Sequence, residues 1–296
     1  MTTRLRRHLA HPVLPGSLGP ALRRARSVWD ARAAVAARRL VAGWWASARR
    51  AATSVGGALR EALLMLTAYA LYTLVRGMWG GTLEEGRESA AGLVAAERSL
   101  GIDVEPGMQA FFVRHDLVMP FWNVLYVASQ VVVLPLTVFL VYRYRRHAYP
   151  FVRNLVLLSW SAGLVWYALQ PMAPPRLLEG GLLDTVTAQT PLDLDAGLVE
   201  LFYNPVAAMP SLHVGLAPVV AWALVRLTPW AWSRAIGFAY PALITVCVIV
   251  TGNHFVLDVA GGLAVVLPAA LVAWLLTRPS RAPVLPAPAP GPARLG

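Results

Sequence analysis

Apolar positions in this chain gather into long runs, and the polar residues fall between them. A helix that crosses a bilayer needs roughly 20 mostly apolar residues. Six stretches fit that length, near 58–77, 120–142, 150–170, 210–227, 234–252 and 255–276. Arg60 and Arg76 sit at the ends of the first, where their stems can snorkel toward the interface. Pro120 suits the first turn of the second. The stretch 78–119 is polar, yet ESAAGLVAAERSLGI within it has helical spacing, which predicts short helices lying along the interface. The third run ends in QPMAPPRLL, and a polar loop over 177–205 follows, with Asp184, Asp193, Asp195 and Glu200. The pattern predicts an all-α integral membrane protein, a six-helix bundle over 58–277. A basic region, 1–57, precedes it and a Pro/Ala-rich tail, 278–296, follows, whose composition predicts disorder.

Composition agrees with that class. Charged residues are 14% of the chain and the mean hydropathy is +0.55, against roughly 25% charged in an average soluble domain. The net charge of +11 comes from arginine, with no lysine. A basic balance raises nucleic acid as a partner. Here twelve arginines fall within residues 1–60, so a membrane surface is the better reading. Residues 28–52 fit either a basic amphipathic helix on anionic lipid or a loosely ordered tail. No short apolar core with a small-residue cleavage site follows the first charges, which argues against a signal peptide. The single cysteine, Cys247, lies in an apolar run, where packing is its role.

Charge also predicts sidedness. Six spans put both termini on one side, together with Arg143, Arg145, Arg146, Arg226, Arg234, Arg278 and Arg281. The positive-inside rule makes that side cytoplasmic. The opposite side then holds Arg87, Arg98, Arg114, Arg176 and twelve of the fifteen acidic residues. The segments QPMAPPR, MPSLH and GNHFVLD all face outward, which predicts a multi-pass plasma-membrane protein with an extracytoplasmic site. His115 and Asp116 share that side and read as interfacial; Trp79, Trp122, Trp230 and Trp232 read as an aromatic belt.

Those three segments bring Arg176, His213, His254 and Asp258 to one face. An arginine fork binds phosphate oxygens bidentately. One histidine can attack phosphorus and the other can protonate the leaving oxygen. Asp258, four residues after His254, shares its helical face and can fix its tautomer. Pro210 suits a first helical position; the free N–H groups that follow, Leu212 among them, with the Ser211 hydroxyl make an anion site. Taken singly, Asp258 also reads as a helix-start carboxylate and Arg176 as an interfacial anchor. Two histidines and an aspartate also suit zinc, although no further ligand clusters near His213 and Arg176 opposes a cation. A transporter or lipid-binding protein that holds an anionic headgroup without chemistry is the reading from another class; the chain lacks the internal repeat such folds often carry.

The segment 170–262, through PSLHVGLA, HFVLDVAGG and the weaker PPR, resembles the type 2 phosphatidic acid phosphatase (PAP2) superfamily, and within it the branch of the inositol phosphorylceramide synthases. The resemblance implies a PAP2-type helical core and a lipid phosphatase or phosphotransferase, leaning to an inositolphosphotransferase. It implies a phosphohistidine on His254, oriented by Asp258, with His213 as general acid. Ser211 and Arg176 would contact phosphate. No metal or other cofactor is implied. The partners implied are a lipid phosphate substrate and, as acceptor, water or a lipid or polyol hydroxyl. The chain departs from the family pattern at Leu169, where a lysine is usual, at Leu177 for proline, at Leu212 for glycine and at Val248 for arginine. Two phosphate-binding cations are thereby missing. Asn253 and Thr251 are candidate weaker donors, and Arg76 a candidate substitute. The gaps favour the transferase-like branch.

Overall fold

A computed structural model describes residues 56–78, 81–115, 117–189 and 204–278. Most of 1–57 and of the C-terminal tail, the helix expected at 28–52, and Trp79, Asp116, Asp193, Asp195 and Glu200 lie outside the described residues. The chain divides into two compact units, Met1–Thr67 and Ala68–Gly296. The described part of the first is the opening of helix α1, Gly56–Met78. Everything that follows concerns the second.

Its elements are helical, with no strand among the described residues. Two short helices come first, α2 (Leu83–Leu100) and α3 (Glu105–Val113). Long helices α4 (Met119–Tyr144) and α5 (Tyr149–Leu169) follow. A single helical turn, α6 (Thr185–Gln189), precedes α7 (Leu212–Leu227), α8 (Ala231–Val250) and α9 (Val256–Thr277). Five helices, α1, α4, α5, α8 and α9, are long and apolar enough to cross a membrane. The fourth expected span, α7, is apolar but has only 16 residues, about 24 Å at 1.5 Å per residue. It buries Leu212, Val214, Gly215, Leu216, Ala217, Val219, Val220 and Ala223, and it packs chiefly on α8 and α9. A helix enclosed by other helices need not match the full lipid thickness.

The helices expected between the first two long apolar runs form as the spacing predicts. Thr82 caps α2: its hydroxyl accepts from the Glu85 N–H, and Glu85 reaches back to the Thr82 N–H. Gly101 ends the helix at φ 70°, a left-handed position that glycine takes without strain. The buried face of α2 is Gly86, Ala90, Leu93 and Glu97, so a glutamate occupies the apolar stripe. Ala90 and Leu93 share a small core with Met172, Ala173, Ala208 and Phe255. A second core joins Met119, Trp122, Cys247 and Val250. Cys247 packs there and donates to the Trp122 carbonyl.

Candidate active site

The three loops that carry the predicted residues are tied together through their backbones. The Met172 N–H donates to the Val206 carbonyl and the Ala208 N–H to that of Met172, 2.7 and 3.0 Å. The Arg176 N–H donates to the Gly252 carbonyl at 3.1 Å, and the Ser211 N–H to that of Asp258 at 3.0 Å. Close approach of α7 and α9 depends on glycine. A Cβ on Gly262 would collide with the Ser211 carbonyl oxygen, and one on Gly215 would lie 2.6 Å from a Val266 methyl. Gly215 lies one turn into α7 and Gly262 nearly two turns into α9, where the two helices meet.

His213 is the second residue of α7. Its ring stacks on Tyr126, centroids 4.5 Å apart with 19° between planes, and lies 5.9 Å from the ring of His254. His254 is buried two residues before α9 begins. Its Nδ1 faces Asp258 Oδ2 at 3.3 Å. The same oxygen accepts the Phe255 N–H at 2.9 Å. Asp258 is fully buried and its backbone carbonyl also anchors Ser211. The i, i+4 pairing expected between His254 and Asp258 is therefore present, and it joins the two side chains to each other.

Both histidines line a cavity of about 420 Å³. Tyr69, Tyr72, Thr73 and Arg76 of α1 contribute to its wall, as do Tyr126 and Gln130 of α4 and Tyr167 of α5. Arg76 lies with its guanidinium carbon 5.6 Å from the Tyr167 ring centroid, and its carbonyl accepts from Asn204 Nδ2 at 2.8 Å. Tyr167 donates to the Pro210 carbonyl, steadying the loop before Ser211. Ser211 is fully buried at the start of α7, and its Oγ has no hydrogen-bond partner among the described residues. The neighbouring Leu212 lines the cavity as well.

The other expected phosphate ligands are arranged differently. Arg176 is buried behind Asn253: its Nε donates to Asn253 Oδ1 at 3.2 Å and its Nη1 to Asp184 Oδ2 at 2.7 Å. Asn253 lines the cavity, but its amide nitrogen donates to Thr251. Thr251 is fully buried and donates its hydroxyl to the Cys247 carbonyl. Arg176, Asn253 and Thr251 thus brace the turn before His254, and Arg76 is the cavity-lining arginine. His115 lies away from this cluster, with its ring against Phe111.

Four side chains behind the site escape the sequence reading. Asp184 pairs with Arg176 from 8 residues away. Gln109 of α3 bonds the Leu183 backbone through both its amide atoms and also donates to the Val250 carbonyl. Glu97 and Glu105 reach the first turn of α9. Only Glu97 leaves a signal, a carboxylate at the i+4 position of the apolar stripe of α2.

Among known families, the model of the PAP2 superfamily matches residues 91–272. That match takes in α3 to α8, most of α2 and α9, and both histidines, and the chain belongs to the PAP2 superfamily. No curated protein and no solved structure matches the chain.

Proposed function

We propose that this protein is a membrane phosphotransferase of the PAP2 superfamily that carries a phosphoryl or phospho-headgroup on His254, then passes it to a lipid or polyol hydroxyl, or to water. The observation that carries the reading is the pair of histidine rings 5.9 Å apart on one cavity, with a buried carboxylate behind one of them.

In the first half-reaction the lone pair of His254 Nε2 attacks phosphorus. Asp258 holds the proton on Nδ1, which leaves Nε2 as the nucleophile, and stabilises the positive charge that develops on the ring. The P–N bond forms as the P–O bond to the lipid breaks, and His213 gives its proton to the departing oxygen. In the second half-reaction the acceptor hydroxyl gives its proton to His213, its oxygen attacks phosphorus and the P–N bond breaks. Phosphate oxygens would meet the Ser211 hydroxyl, the first-turn amides of α7 and Arg76. Arg176 would act one layer back, through Asn253.

The lean toward transfer rests on the cavity wall. Tyr69, Tyr72, Thr73 and Gln130 offer neutral hydrogen-bonding groups, which suit a polyol headgroup or acceptor better than water alone. The arginine pattern supports an extracytoplasmic site and cytoplasmic termini. The test is product analysis with purified protein in detergent. Phosphatidic acid, an isoprenyl diphosphate and phosphatidylinositol are supplied with and without ceramide or diacylglycerol. A new phospholipid that needs the acceptor supports transfer; free phosphate without acceptor makes the protein a phosphatase. If folded protein forms neither product from any of these substrates, the catalytic reading is overturned.

A further inference from the structure

The start of α9 holds His254 in place, yet its N-cap is Phe255, which has no side-chain oxygen to close the first turn. Two glutamates from other elements do so instead. Glu105 Oε1 accepts the Val256 N–H at 2.8 Å and Glu97 Oε1 accepts the Leu257 N–H at 2.7 Å. Both are buried, 2% and 0% exposed. Their second oxygens have no hydrogen-bond partner among the described residues. Carboxyl oxygens of Glu97, Asp103 and Glu105 all lie within 4.8 Å of one another.

We infer that Glu97 and Glu105 are positioning residues that share one proton between their second oxygens, and that this one-proton pair clamps the first turn of α9 and so sets His254. The inference rests on the reading of His254 as nucleophile. Two buried carboxylates side by side cannot both stay ionised; something positive must sit between them. The charged groups around the pair argue for a proton. Asp103 stands on the turn between α2 and α3 and is already engaged by Arg98 at 3.0 Å. Asp258 of α9 adds a negative charge to the surroundings of Glu97, and His254 stands behind it. The amides of α9 point their positive ends at both glutamates, which disfavours a metal cation there. Burial, then the neighbouring Glu105, push the Glu97 carboxyl from 4.5 up to about 8.

The consequences have a sign. Below the pKa of the folded pair the proton holds the two groups together. As pH rises past about 8 the proton leaves, two anions face each other, and the first turn of α9, just after His254, loosens. The unfolded glutamate releases its proton near 4.5, so the folded chain binds the extra proton between these values. Stability therefore falls as pH rises through that window and levels off above it.

The test compares wild type, Glu97→Gln, Glu105→Gln, Glu97→Ala and His254→Ala as purified full-length protein in detergent. A glutamine keeps the oxygen that accepts from α9 and supplies an N–H in place of the shared proton. Either glutamine variant is expected within about threefold of wild-type kcat at pH 7, a change of under 1 kcal/mol, with activity extended above pH 8. Glu97→Ala is expected to lose about a hundredfold in kcat with KM little changed, as for a misplaced reacting group. Melting curves give a readout independent of catalysis: wild-type Tm should fall relative to Glu97→Gln between pH 5 and 8 and run parallel above. Matching pH profiles in wild type and Glu97→Gln would overturn the shared proton. So would activity that needs added calcium and is lost with a chelator. Full turnover by His254→Ala would sink the nucleophile reading alone, leaving the Tm comparison to judge the pair.

Discussion

Two helices begin at this cavity, and their first turns are built in opposite ways. α9 is closed: the amides of Phe255, Val256 and Leu257 donate to Asp258, Glu105 and Glu97. α7 is open: Ser211 stands at its N-cap in extended conformation, and among the described residues no side chain caps it and the Ser211 hydroxyl has no partner. A helix start attracts anions through its free amides and its dipole. At α9 that attraction is already spent on three carboxylates, so the turn can hold His254 but has little left for a phosphate. At α7 it is still available beside His213. One kind of element thus serves to position in one place and to bind in the other, and the Ser211 to Asp258 backbone bond locks the two together.

The largest effect expected is at the closed start. His254→Ala should lower turnover by about 10⁴-fold or more, as removal of a nucleophile does elsewhere. It should also abolish the acid-labile phosphoprotein formed on brief exposure to a labelled substrate. Labelling that persists in this variant would move the nucleophile to another residue. His213→Ala should cost about 10²–10⁴-fold on lipid substrates and much less on an ester with a good leaving group such as nitrophenol. Equal losses on both would remove the general-acid role and leave His213 as a ring stacked on Tyr126.

The contrast between the helix starts was only half legible in the sequence. Pro210-Ser211 before an apolar run marks the opening of α7, and His254 with Asp258 four residues on marks the paired face of α9. Both follow from local spacing, which is why they could be read. The closure of α9 could not, because Glu97 and Glu105 act across 160 and 151 residues, and nothing local links them to a turn capped by Phe255. Arg176 carries the same lesson in reverse. Its motif suggests a direct phosphate ligand, but Asp184 and Asn253 occupy two of its donors. The cavity-lining arginine is Arg76, offered by the sequence only as a substitute. Helix boundaries were legible to within a few residues because lipid imposes long apolar runs; the short α7 departs where protein replaces lipid as its surroundings.

The joint between the two starts gives a smaller effect, read as stability. Gly262→Ala places a Cβ against the Ser211 carbonyl, backbone that cannot swing aside as a flexible side chain does. Overpacking of this kind costs about 1–3 kcal/mol, measurable as a lowered denaturation midpoint in detergent. Gly92→Ala, on the same scale, is the control: its Cβ meets nothing within 4 Å, and removing glycine from a helix interior should stabilise by about 0.5–1 kcal/mol. Equal loss from both would mean that α7 and α9 do not approach as closely as their glycines imply.

The smallest effect on stability separates the two starts most directly. Ser211→Ala removes only a hydroxyl, and the backbone bond from residue 211 to Asp258 survives. Since that hydroxyl makes no bond among the described residues, stability should be unchanged to within about 0.5 kcal/mol. If the hydroxyl donates to the phosphate, kcat/KM should fall by about tenfold or more, the worth of one hydrogen bond to a charged group of about 1.5–3 kcal/mol. Glu97→Ala at the other start should do the reverse in stability, losing about 1–3 kcal/mol because it strands a buried amide. A Ser211→Ala protein that melts as early as Glu97→Ala, with unchanged kinetics, would mean the hydroxyl caps α7 after all. The open start would then be closed, and the phosphate would have to be held from the α1 side by Arg76.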